Sequence, residues 1–151
     1  MQTLIRESRS SCEYQPALGS PTLCTLPVTA GAVPALRRFT RDTARRWGLL
    51  DETEDALCLI VTELATNTVL HSGSPHITLL IDFRGNTVTV QIQDAGRWRL
   101  RRPHRSGTGH EECGRGLQLV HAYATACAVL PTAAGTLVIA ELTLPRADGD
   151  S

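Results

Sequence analysis

Two short runs of alternation constrain this chain most. Ile77, Leu79, Ile81 and Phe83 alternate with His76, Thr78, Leu80 and Asp82, and Val88, Val90 and Ile92 alternate with Thr89, Gln91 and Gln93. A period of two puts each apolar set on one face of a strand. Arg84-Gly85-Asn86 between them is a hairpin turn signal. The pair therefore reads as an antiparallel hairpin with one apolar face that other elements must cover. Because the strands alternate instead of being apolar throughout, the cover is expected on one side only.

The remaining elements fit around that hairpin. A chain of 151 residues, 42% of them apolar, is large enough for one domain with a core. Residues 1–21 are polar and read as a flexible tail, 22–145 as the domain, and 146–151 as a second tail. Thr22 to Leu26 reads as a short strand. Pro34 suits the first turn of a helix in which Leu36, Phe39, Thr43 and Trp47 share a face, with Gly48 at its end. Its arginines, Arg37, Arg38, Arg41, Arg45 and Arg46, read as a solvated face. Asp51 and Glu54 have capping-box spacing before a second helix, Glu52 to Leu70, which Ser72-Gly73-Ser74-Pro75 stops. A third helix is expected from Leu117 to about Ala126, with Leu119, Val120 and Tyr123 packing inward. Strands from Cys127 to Leu130 and from Thr136 to Leu144 close the chain. The expected fold is α+β, a two-layer sandwich of a mixed, mostly antiparallel sheet covered by about three helices.

Three stretches carry chemistry. On the second helix, Glu63, Asn67 and His71 recur every four residues and form a polar stripe. A carboxylate and an amide one turn apart can hold a divalent ion and orient or deprotonate a nucleophile. Asp94 ends the second strand of the hairpin, before Ala95 and Gly96, where a flat ring can approach the backbone. A carboxylate there suits a ligand amine and favours adenine over guanine. Gly114-Arg115-Gly116 opens the third helix, whose free N–H groups suit phosphates. Between the second and third stretches, the long segment from Arg97 to Cys113 carries Arg97, Arg99, Arg101, Arg102 and Arg105, which can offset phosphate charge as a lid does. Each feature alone has a plainer reading, as turn former, cap or solvated side chain. Their order along the chain is what favours one ATP site with Mg²⁺. His71 stays open between a helix-end residue and a phosphate neighbour.

At these residues the chain resembles the GHKL superfamily of histidine-kinase-like ATP-binding domains. Within it, the resemblance is to the anti-sigma factor serine/threonine kinase type found in actinobacteria. Glu63-Leu64-Ala65-Thr66-Asn67-Thr68-Val69-Leu70-His71 is similar to that family's N-box, Asp94-Ala95-Gly96 to its first glycine box, and Gly114-Arg115-Gly116-Leu117-Gln118-Leu119-Val120 to its second. Trp47-Gly48-Leu49 and Gly135-Thr136-Leu137-Val138 also fit. The resemblance implies that Asn67 binds Mg²⁺, Glu63 is the general base, and Asp94 reads the adenine amine. It implies nucleotide contacts at His71, Gly96, Arg105, Gly114, Arg115, Gly116, Leu117 and Thr136. Two departures stand out. Arg97-Trp98-Arg99 follows Gly96 where the family has a second glycine, and Ala134-Gly135-Thr136 replaces a Gly-Gly turn.

The expected function is an ATP- and Mg²⁺-dependent protein serine/threonine kinase acting as an anti-sigma factor. A sigma factor and an antagonist protein are its implied partners, and a homodimer is suggested by the family. The alternative is a nucleotide-binding regulator with little or no transfer, working through protein binding. Direct DNA binding is not expected, because the formal charge is zero and no helix-turn-helix signature is present. No apolar run is long enough to span a bilayer, and no apolar leader precedes Pro16. The five cysteines form no CxxC pair. A cytoplasmic protein with reduced thiols is the expectation.

Overall fold

The computed structural model describes residues 19–97 and 114–145. In chain order the elements are β1 (Thr22–Pro27), α1 (Ala32–Arg46), α2 (Asp51–His71), β2 (His76–Arg84), β3 (Thr87–Asp94), α3 (Gly114–Tyr123), β4 (Ala126–Thr132) and β5 (Gly135–Thr143). The described strands form one sheet in the order β1-β2-β3-β5-β4. Every pairing in it is antiparallel. The β2–β3 hairpin has the register its alternation requires, with Ile81 opposite Val90 and Leu79 opposite Ile92.

One face of the sheet carries the core. Ile77, Leu79, Ile81, Val88, Val90, Ile92, Val138 and Ala140 are buried there with Leu36 and Ala44 of α1, Leu57, Ile60, Val61, Leu64 and Ala65 of α2, and Val120 of α3. The opposite face holds Thr78, Gln91 and Gln93, beside half-buried Leu80, Leu137 and Ile139. The fold is thus the expected two-layer α+β sandwich. Trp47, just past α1, tilts against Phe83 of β2 with ring centroids 5.7 Å apart, which fixes the end of α1 over the sheet. Gly19 lies ahead of β1, and its carbonyl accepts the Phe83 N–H. Residues 1–18 of the expected N-terminal tail, like residues 146–151, lie outside the described residues.

Three local expectations differ. Asp51 does not cap α2. Leu50 takes the cap position in extended backbone, with no side-chain cap bond, and Asp51 enters the first turn, where its charge still suits the helix dipole. Glu54 is turned inward instead of closing a capping box. It is buried, and its carboxylate meets Arg41 Nε at 3.3 Å and Arg45 Nε at 3.2 Å. Two arginines of the supposedly solvated face of α1 thus hold α2 in place. A buried carboxylate demands such donors, and this demand outweighs the weaker pull of a capping box. Finally, α3 begins at Gly114 and ends at Tyr123, earlier at both ends than its pattern suggested. Leu119 is 46% and Tyr123 50% exposed, because the inward stripe runs through Val120 toward Ala124 instead.

Cys58 is buried between α1 and α2, and its Sγ lies 3.8 Å from the Arg37 carbonyl. Burial pushes its thiol above the ordinary range, with Arg41 partly opposing. Burial alone does the same to Cys127. Both behave as small apolar residues. Among the described residues, no helix is long and apolar enough to cross a membrane.

The inward Glu54 sets an expectation for stability. Glu54→Gln should cost about 1–2 kcal/mol in urea unfolding, since both arginines keep access to water. Leu64→Ala, which opens the core beneath α2, should cost roughly 2–5 kcal/mol. An unchanged midpoint for Glu54→Gln would show that the arginines do not anchor α2.

Candidate functional site

The site grows from the end of β3. Asp94 is buried there, opposite Ile77 of β2 on one side and Thr136 of β5 on the other. Its Oδ1 accepts the Gly96 N–H at 2.8 Å, which closes a turn, and its Oδ2 accepts the Thr68 hydroxyl at 3.2 Å. Ala95 N–H donates to Ser74 Oγ at 2.9 Å, and that hydroxyl donates to the His76 carbonyl at 2.7 Å. The Thr136 hydroxyl donates to the Gly96 carbonyl at 3.0 Å. The turn is therefore held from three directions: α2, the α2–β2 connection and β5.

Two glycines make this packing possible. A Cβ on Gly96 would overlap the Ser72 carbonyl oxygen. A Cβ on Gly135 would overlap the Asp94 carbonyl oxygen, and Gly135 also holds φ at 150°. Only residues without a side chain let these backbones approach so closely. Both glycines thus serve the backbone around Asp94.

The polar stripe of α2 runs toward this turn. Asn67 immediately precedes Thr68 and is half-buried. Its Nδ2 is buried with no hydrogen-bond partner among the described residues. An orphaned buried amide costs about 1–3 kcal/mol, so it marks a place that a ligand would complete. Glu63, one turn earlier, is half-buried, and His71 is exposed as the last residue of the helix. Gly114, Arg115, Gly116 and Leu117 form the first turn of α3, where helix N–H groups lack intrahelical partners, and α3 packs on α2. Arg105 lies outside the described residues. Among the described residues, no group of three or more His, Cys, Asp and Glu side chains could hold a metal.

The structure thus brings Asp94, Gly96 and Thr136 into one cluster and sets Asn67 beside it on α2. Sequence reasoning missed Thr68, Ser72 and Ser74. Thr68 stood as one residue of the run from Glu63 to His71, and the serines as a helix stop. The available signal was a concentration of hydroxyls within reach of a strand-end aspartate. The glycine contact gives a test of the clamp. Gly96→Ala should lower stability by roughly 1–3 kcal/mol through overpacking, read by urea unfolding. A wild-type midpoint would mean that the turn has room to move.

Known proteins place this geometry in context. The family model described as the histidine kinase-like ATPase domain matches residues 26–142. Among solved structures, the crystal structure of the RsbU and RsbW domains of Rv1364c from Mycobacterium tuberculosis matches with a TM-score of 0.65 and 19% sequence identity over 83% of this chain. That likeness is one of fold, and it spans 33% of the other chain. No curated protein matches. The matched family model runs from the end of β1 to within one residue of the end of β5, so the chain belongs to the histidine kinase-like ATPase domain family.

Proposed function

We propose that this chain is a Mg²⁺-dependent ATP-binding regulator that acts as an anti-sigma serine/threonine kinase in the cytoplasm. The observation that carries the nucleotide reading is the Asp94 carboxylate, buried and held by Gly96 N–H and the Thr68 hydroxyl. In this reading Asp94 accepts from the adenine amine, and Gly96 and Thr136 form the adjoining wall. The first turn of α3, at Gly114, Arg115, Gly116 and Leu117, receives phosphate oxygens, and Arg105 and His71 contribute to the same charge.

The residues present fit a metal that arrives with the nucleotide. Mg²⁺ usually keeps several waters and takes phosphate oxygens with one or two protein ligands. The Asn67 side-chain carbonyl oxygen suits that role, while its unpartnered Nδ2 would donate to a phosphate oxygen; a cage built from protein alone would need more acidic ligands. When bound, Mg²⁺ supplies charge offset on the phosphates. Glu63, one turn away, would orient a partner's Ser or Thr hydroxyl and take its proton. The kinase reading, the sigma-factor partner and the antagonist substrate rest on the resemblance of the three boxes. The likeness of fold to a protein that contains an RsbW domain agrees with them. A regulator that binds ATP without transferring phosphate is the second reading. It is favoured by the exposed Arg97 directly after Gly96, where the family has more room.

Binding and transfer separate the two. Asp94→Ala should weaken Mg²⁺-dependent ATP binding by about 10–100-fold, as expected for losing a hydrogen bond to a charged group, and Asn67→Ala should remove its Mg²⁺ dependence. Calorimetry on both folded variants checks this, and wild-type affinity in each would sink the site. Glu63→Gln should spare binding and slow transfer of labelled phosphate to an antagonist protein by about 10²–10⁴-fold. Binding without transfer in the wild type would leave only the second reading.

A further inference from the structure

Helical threonines in this protein have a common habit. Thr40, Thr43, Thr62 and Thr66 each turn their hydroxyl onto the carbonyl four residues back, at 2.8, 2.8, 2.6 and 2.7 Å. This is the usual satisfaction of a threonine within a helix. Thr68 is fully buried, on the same helix as Thr62 and Thr66, yet its hydroxyl reaches across to Asp94 Oδ2 at 3.2 Å. It gives up a short local bond for a longer one to a carboxylate on the sheet.

We propose that Thr68 is a positioning residue for base selection: its hydroxyl aims the Asp94 carboxylate at the exocyclic amine of a purine nucleotide. The inference rests on the reading of Asp94 given above and adds what sets its selectivity. Gly96 N–H fixes one carboxylate oxygen and Thr68 the other, so the plane of the group is set by two elements at once. Both described partners donate, so the carboxylate is used as an acceptor. An amine-bearing base complements it, and a base with a carbonyl at that position opposes it lone pair to lone pair. Thr68 also directly follows Asn67. The residue that orients base reading and the residue assigned to Mg²⁺ are thus adjacent on one rigid helix, which fixes their spacing.

The test is the ratio of affinities for ATP and for inosine triphosphate, which carries a carbonyl in place of the amine. It is measured by calorimetry with Mg²⁺ on the full chain. Thr68→Val keeps the shape and removes the hydroxyl, Thr68→Ala removes it with less bulk should the valine variant not fold, and Thr68→Ser keeps it. The hydroxyl-free variants should lose roughly five- to tenfold of the wild-type preference for ATP, the scale of one ordinary hydrogen bond, and Thr68→Ser should restore it. A purely structural role would lower the melting temperature or weaken both nucleotides alike. An unchanged ratio in a folded hydroxyl-free variant therefore overturns the role of Thr68. Equal binding of the two nucleotides by the wild type overturns the reading of Asp94 itself, and this inference with it.

Discussion

A buried carboxylate at the end of a strand must find donors, and the arrangement around Asp94 follows from that demand. One donor is local, the Gly96 N–H in its own turn. Another comes from α2, 26 residues back along the chain. Supplying it requires α2 to cross the sheet at the end of β3, with Thr68 facing down. The Gly96 carbonyl in turn takes the Thr136 hydroxyl, which pins the register of β5. A slip of one residue would send Thr136 to the other face and bring a side chain where Gly135 touches the Asp94 backbone. Helix position, strand register and turn shape are therefore a single constraint.

The helical layer is fixed at its other end by a second buried carboxylate. Glu54 draws Arg41 and Arg45 down from α1, and Trp47 closes over Phe83. The first half of α2 is thereby fastened to α1, and the second half to the sheet. The stripe from Glu63 to His71 lies in the second half. Side chains on such a helix inherit its position, which loops rarely provide.

Much of the fold was legible in the sequence, because period-two alternation around Arg84-Gly85-Asn86 leaves one arrangement for β2 and β3. The amphipathic spacing of Leu36, Phe39, Thr43 and Trp47 was as plain. What could not be read were side-chain choices that depend on a partner element. Glu54 sits at capping-box spacing, and only the approach of α1 shows that its carboxylate points inward. The inward stripe of α3 was misread, because Leu119, Val120 and Tyr123 are all apolar enough to pack and the neighbour decides which does. Asp94, Gly96 and Thr136, which the resemblance grouped, do lie in contact, although each alone reads in the sequence as a turn former or strand residue. Thr68 was hidden because threonine on a buried face reads as a spacer until its hydroxyl is seen to leave the helix.

The position of β5 carries a consequence for how the protein comes into being. It is the last of the described strands along the chain, yet it lies inside the sheet between β3 and β4. Thr136 and Gly135, which complete the turn at Asp94, belong to it. A nascent chain that has emerged only as far as α3 would expose the unpaired edge of β3, and its strand-end carboxylate would lack a wall. Partly made or C-terminally shortened copies are therefore exposed to strand-to-strand association. The surroundings of Asp94 are complete only once β5 has paired with β3.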